Sequence, residues 1–333
     1  MSRIVDLEWG RVMVVTDLHG DYPVYCRYRD RFLELRARGQ ANVLVFIGDL
    51  IHTEGARRTD GSLEIVLDLL RLRRDLGDGL IILLGNHEMP HLYGIAISKG
   101  GYTYTPRFEI AMSHHRPAIV SFFDELPLYV RTRAGVTLAH AGASHAASTV
   151  EGLRRLADYS HSAEMAKVDA LLEGQDRASV RAGLAKISGQ DYAVLVEQNM
   201  GLTDPDDPRY DDVLRGVLVT GLSSDFQRLW EATFNKNEHQ YGLEEYTRLL
   251  EDTLAALSED FVEQRAIVSG HIQVLGGYVV VLGRQLRLAS WAHATPPEAG
   301  RYLLFDAGRP ITGVDDLIKG LHTVFTPRLT GPL

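Results

Sequence analysis

Residues 79–88 read Gly79-Leu80-Ile81-Ile82-Leu83-Leu84-Gly85-Asn86-His87-Glu88: five apolar side chains in a row, then glycine, then three groups able to hold a metal or a proton. An apolar run this short and unbroken fits a strand buried on both faces, as in parallel sheets. The same arrangement occurs twice upstream. Residues 11–16 lead into Asp17-Leu18-His19-Gly20-Asp21, and residues 42–47 lead into Gly48-Asp49-Leu50-Ile51-His52. Helical patterns lie between the runs, at residues 22–37 and 62–74. In the second, Leu63, Val66, Leu67 and Leu70 fall on one face. Strands alternating with helices imply βαβ units, whose ligands bind beyond the carboxyl ends of the strands.

Two later runs end the same way. Residues 136–139 lead into His140-Ala141-Gly142, and residues 266–269 lead into Gly270-His271. The stretch between them is rich in Ala, Leu, Glu and Arg. It has helical patterns at residues 147–159, 163–172 and 243–257 and a polar, proline-bearing break at 203–209. The expected organisation is one α/β domain over residues 1–333 with a mostly helical insertion at 144–263. Further strands are expected at 277–282, 285–289 and 301–305.

Composition narrows the function. Lys and Arg number 35 against 44 Asp and Glu, a net charge of −9, which disfavours sequence-blind binding to a nucleic-acid duplex or an anionic membrane. No run approaches the roughly 20 apolar residues of a membrane span. A single cysteine, Cys26, excludes an intrachain disulfide. The expected location is the cytoplasm.

Asp17, His19, Asp49, Asn86, His87, His140 and His271 all stand at strand ends. Carboxylates, an amide oxygen and imidazoles together suit Mn²⁺, Fe or Zn²⁺ better than Ca²⁺, which takes oxygen alone. A central Asp can bridge two ions, and ions about 3.5–4 Å apart can clamp both the attacking and the leaving oxygen of a phosphoryl transfer. One His at a strand end is ordinary. Five segments bringing such groups to one sheet edge are not.

The order Asp-x-His, Gly-Asp, Gly-Asn-His-Glu, His, Gly-His resembles that of the calcineurin-like metallophosphoesterases. Within that superfamily the chain is most similar to the phosphoprotein (serine/threonine) phosphatases, through Leu83-Leu84-Gly85-Asn86-His87-Glu88, Phe122-Phe123-Asp124-Glu125-Leu126-Pro127-Leu128, Leu138-Ala139-His140-Ala141-Gly142 and Gly270-His271-Ile272-Gln273-Val274-Leu275-Gly276-Gly277-Tyr278. The resemblance implies a sandwich of two mixed β-sheets flanked by helices and two divalent ions, Mn²⁺ foremost, with Fe or Zn²⁺ as alternatives. It assigns Asp17 and His19 to the first ion, Asp49 to both, and Asn86, His140 and His271 to the second. A water between the ions becomes the nucleophile, and His87 the general acid. The implied reaction is hydrolysis of phosphomonoesters, on a small molecule or on phosphoserine, phosphothreonine or phosphotyrosine of a protein. A symmetrical diadenosine tetraphosphate hydrolase is the alternative enzyme, and a metal-binding interaction module the alternative without turnover.

The chain also departs from that family. Where the phosphatases follow Gly-Asp with a segment ending Asp-Arg-Gly, this sequence has His52-Thr53-Glu54-Gly55. The acid expected to orient His87 and the arginine expected to hold phosphate are both absent. Arg57 and Arg58 are candidate replacements for the arginine; a second clamp arginine that the resemblance implies in the insertion has no clear match, and Lys236 in the segment 234–242 is the candidate for that place. Position 273 is Gln, so the Gly-His-x-His ending common in the superfamily lacks its second His. His239 and His293 are candidates to line the pocket. His91 is not expected to ligate metal, His114 and His115 are expected at a solvated helix end, and Cys26, Phe122 and Phe123 in the core.

Overall fold

The fold is described from a computed structural model, which covers residues 2–53, 59–234 and 237–325. Among these residues eleven strands build two mixed sheets: Ile4–Leu7 (β1), Arg11–Val15 (β2), Val43–Phe46 (β3), Leu80–Ile82 (β4), Tyr129–Thr132 (β5), Val136–Ala139 (β6), Ala266–Ser269 (β7), Tyr278–Val281 (β8), Gln285–Leu288 (β9), Tyr302–Asp306 (β10) and Leu321–His322 (β11). One sheet has the order β1-β5-β6-β7-β9-β8, the other β11-β10-β2-β3-β4. Strands β2, β3 and β4 are parallel, and so are β6, β7 and β9. Each sheet thus gathers three carboxyl ends on one edge.

Alternation explains why these strands are apolar throughout. Val12 and Val14 join Val43, Val45, Leu138, Val268 and Leu286 in a core shared by the two sheets. Met13, Val15, Leu44 and Phe46 point the other way, into a core that includes Tyr25, Phe32 and Leu69 of the outer helices. Each fully buried side chain of this kind contributes roughly 1.5–3 kcal/mol.

The helix Tyr22–Ala37 starts at Asp21, whose carboxylate accepts the Val24 N–H at 3.1 Å. The helix Ser62–Leu76 buries Ile65, Val66, Leu69 and Leu72 rather than the expected face of Leu63, Val66, Leu67 and Leu70. Ile65, Leu69 and Leu72 are apolar as well, and they pack deeper in the core. Ser62 is buried, and its hydroxyl accepts the His52 N–H at 2.9 Å.

Eight helices lie between residues 150 and 257, and they interrupt the chain between β6 and β7, which are neighbours in the sheet. Tyr246 O–H donates to Gln285 Oε1 at 2.8 Å, and Arg287 reaches Glu238 through two hydrogen bonds of 3.1 and 2.7 Å. These contacts fasten the end of the helical segment to β9. Among the described residues no helix is long and apolar enough to cross a membrane.

Candidate metal centre

The loops leaving β2, β3, β4, β6, β7 and β9 meet at the shared edge. The first loop hangs on the second, since Leu18 N–H and His19 N–H both donate to the Asp49 carbonyl, at 2.8 and 3.0 Å. The third is tied in by Glu88, which is buried and accepts the N–H groups of Asp49, Leu50 and Gly85 at 2.7–3.1 Å. Gly85 allows this closeness, because a Cβ there would fall against the Asp49 and Glu88 carboxylates. His19, Asp49, His52 and His271 all hold left-handed backbones, with φ of 45°, 53°, 71° and 67°. That conformation costs a non-glycine residue roughly 1–2 kcal/mol, so the surrounding bonds are what keep these side chains turned into the site.

Three overlapping groups of donors result: Asp17, His19 and His293; His19, Asp49 and His87; Asp49, His140 and His271. Within each, the ligating atoms lie within 4.8 Å of one another. Asp49 stands between them. Its Oδ2 lies 3.9 Å from His19 Nε2 and 4.0 Å from His87 Nε2, and its Oδ1 lies 3.4 Å from His140 Nε2.

The chemistry of these groups fits cations. His140 Nδ1 faces the Ile47 carbonyl at 2.7 Å, which places its proton there and leaves Nε2 as an acceptor. That Nε2 lies 2.9 Å from Asn86 Oδ1, a second acceptor. His271 Nδ1 is buried without a hydrogen-bond partner. Neither Asp17 nor Asp49 is paired with a Lys or Arg among the described residues. Burial, with Glu88 and Asp17 close by, holds the Asp49 carboxyl well above its ordinary value. Burial also disfavours ionisation of Asp17, but His293, His140, His19 and His271 around it outweigh that and hold its carboxyl low. Burial pushes His271 down to about 3 and keeps His87 and His140 below the usual imidazole range. Lone pairs converging on buried carboxylates are a setting for divalent ions.

The structure brings together all seven residues singled out at the strand ends: Asp17, His19, Asp49, Asn86, His87, His140 and His271. Arg57, Arg58 and Lys236 lie outside the described residues. His239 is 81% exposed beside Glu238. His293 is inside it, with Nε2 3.0 Å from His19 Nε2 and Nδ1 3.3 Å from Asp17 Oδ1. His293 thus joins the cluster from a loop other than that of His271, while Gln273 is exposed. The sequence carried a signal for this. Because β9 runs parallel to β7, its carboxyl end reaches the same edge, and Ser290 anchors it there through Thr16 Oγ1 at 3.1 Å and the Asp17 carbonyl.

The missing acid is also replaced. The His87 ring meets the His52 ring, Nδ1 to Nδ1 at 3.0 Å, so an imidazole stands where the carboxylate was expected. His91, set aside as a ligand, is buried and lies 2.9 Å from His52, Nε2 to Nε2.

Comparison with known proteins agrees with this architecture. A family model described as calcineurin-like phosphoesterase matches residues 10–216, and the chain belongs to that family. It is therefore a hydrolase of the phosphoesterase class. A protein serine/threonine phosphatase from Saccharomyces cerevisiae with similarity to human phosphatase PP5 shares the fold, with a TM-score of 0.50, 15% identity, and coverage of 98% of this chain and 85% of that one. A cold-active protein-tyrosine phosphatase of a psychrophilic Shewanella species aligns with a TM-score of 0.41 and 19% identity, over 92% of this chain and 78% of its own. No curated protein sequence matches the chain.

Proposed function

We propose that the protein hydrolyses phosphomonoesters, a phosphorylated small molecule or a phosphoprotein, at a two-metal centre. One observation carries the reading: the two oxygens of Asp49 face two separate donor groups, with His87 beside one of them. Asp17, His19 and His293 would hold one ion, Asn86, His140 and His271 the other, with Asp49 shared. Mn²⁺ is the proposed metal on the mixed oxygen and nitrogen donors. When bound, a pair of such ions lowers the pKa of water and neutralises charge on the transferring phosphoryl group.

The chain's residues supply the rest. The Asp49 carboxylate fixes the separation of the two donor groups, and its Oδ1 accepts the His87 N–H at 3.0 Å, which holds that loop in register. His87 Nε2 faces the cluster and gives a proton to the leaving oxygen. Arg57, Arg58 and Lys236 are proposed to grip the phosphate, each charged hydrogen bond contributing about 1.5–3 kcal/mol.

The test assays p-nitrophenyl phosphate, a phosphopeptide and diadenosine tetraphosphate side by side with Mn²⁺, before and after chelation. Turnover of the first two that chelation removes is expected, while turnover of diadenosine tetraphosphate alone would replace this reading with the nucleotide one. Asp49→Asn should lose metal and activity together. His87→Ala should keep its metal and lose about 10²–10⁴-fold in kcat, the usual range for a general acid. If neither substitution changes turnover, the reaction does not take place at this centre.

A further inference from the structure

From Nδ1 of His87 a file of side chains leads away from the centre. His52 lies 3.0 Å from His87, His91 lies 2.9 Å from His52, and Glu109 Oε1 lies 2.7 Å from His91 Nδ1. Each contact uses a fresh ring nitrogen, so the file is continuous. His52, His91 and Glu109 are at most 2% exposed. Tyr104 stacks on the His52 ring at 5.7 Å, Phe108 meets both imidazoles edge-on at 6.0 and 5.0 Å, and Phe123 lies 6.5 Å from His91. The ring nitrogens meet directly at these distances, and His87 Nδ1 faces His52.

We propose that His52 passes a proton from His91 to His87, so that His87 can donate into the metal centre while the resting positive charge is held on His91 beside Glu109. The proposal builds on the reading of His87 as the acid. Two proton orders matter here, and each satisfies every contact. In the charged order His91 carries both protons against Glu109, His52 is protonated on Nδ1 and His87 on Nε2. When His87 Nε2–H gives its proton to the leaving oxygen, His52 Nδ1–H passes its proton to His87 Nδ1. His91 Nε2–H then passes its proton to His52 Nε2. The three imidazoles end neutral, with one proton fewer and both imidazole–imidazole hydrogen bonds reversed, while His91 Nδ1–H still donates to Glu109.

Electrostatics favours this placement. An imidazolium at His87 would sit against two dications. At the far end His91 faces Glu109, whose Oε2 is held by Arg116 at 2.7 Å and approached by Arg209 at 3.6 Å, with Asp212 and Asp207 paired to those arginines in turn. Three carboxylates and two guanidiniums leave one negative charge, which a cationic His91 balances; Arg215 and Asp169 beyond Asp212 cancel one another. Glu109 loses solvation, yet the His91 bond and the Arg116 charge outweigh that and keep it ionised.

The test combines kinetics with imidazole ¹⁵N shifts in the Zn²⁺-loaded protein labelled at histidine. His91→Phe suits the aromatic surroundings, and Glu109→Gln is the second variant. Both should keep their metal and KM. They should lose about 10–100-fold in kcat on phenyl phosphate but much less on p-nitrophenyl phosphate, whose good leaving group needs little protonation. Adding His52→Asp to His91→Phe should restore turnover by placing a carboxylate on His87. In the unmodified protein the His52 proton should move from Nε2 to Nδ1 on acidification, without His52 becoming charged. Equal losses on both substrates, or a His52 tautomer that never changes, overturn the relay. A His87→Ala variant as active as the unmodified enzyme overturns instead the reading beneath it.

Discussion

The backbone N–H of His271 donates to both carboxylate oxygens of Asp17, each at 3.0 Å, across 254 residues of chain. Asp17 follows β2 of one sheet and His271 follows β7 of the other, so this contact closes the sandwich at its functional edge. It also couples the two donor groups, because the residue serving one steadies the carboxylate of the other.

That coupling predicts the effect of Gly270→Ala. A Cβ at position 270 would fall against Asp17 Oδ2 and lie 2.9 Å from the Thr16 Cβ. The substitution should destabilise the protein by about 1–3 kcal/mol, as overpacking does, and lower the affinity for both ions. Chemical denaturation and metal analysis check this, and a variant that binds both ions normally would contradict the coupling.

His293→Ala should weaken one ion selectively. With His293 as a ligand, Kd for that ion should rise by at least the 10–100-fold that even outer-shell partners of a metal typically cost, roughly speaking. The other ion should be unaffected. Calorimetric titration of the metal-free protein resolves the two, and unchanged affinity at both would remove His293 from the centre.

Glu238 and Arg287 form a pair with side chains only 11% and 5% exposed. Glu238→Ala leaves Arg287 buried without its counter-charge, which should cost about 3–5 kcal/mol. Replacing both by apolar residues should recover most of that. Urea denaturation of the three variants is the measurement, and a single-variant loss below about 1 kcal/mol would show that water reaches the arginine.

His161 gives a pH dependence with a definite sign. It is buried beside Tyr93, whose hydroxyl lies 2.5 Å from Nδ1, and burial with the Arg3 charge holds it well below the usual imidazole range. The unfolded chain therefore binds a proton that the folded one refuses. The stability supplied by neutral His161 is complete above about pH 6.5 and declines as the pH falls toward its lowered pKa. Tm should thus drop more steeply between about pH 6.5 and 5 in the unmodified protein than in His161→Phe. Identical slopes would contradict the assignment.

Much of this centre was legible in the sequence because its donors sit directly after continuous apolar strands. Reading residues 11–16, 42–47, 79–84, 136–139 and 266–269 was enough to bring Asp17, Asp49, Asn86, His140 and His271 to one edge. His293 was harder because four residues separate it from the end of β9, and its approach depends on the Ser290 anchor. The file through His52 and His91 was hidden for another reason. It joins residues 39 apart, through a one-turn helix, Pro90–Tyr93, that no periodicity announces. The buried face of Ser62–Leu76 was displaced because the helix offers apolar side chains over more than one face, and Ile65, Leu69 and Leu72 pack deeper than Leu63, Leu67 and Leu70. Strand β1 escaped notice since Ile4-Val5-Asp6-Leu7 contains a charge and is only partly buried.

The left-handed turns at His19, Asp49, His52 and His271 bear on how the protein comes into being. Such a geometry is uncommon even for Asp and His, and at His19, Asp49 and His271 the bonds that hold it come from segments 30 or more residues away. A half-folded molecule therefore owns every donor and still lacks a place to grip an ion. The converged set of donors is a property of the finished fold.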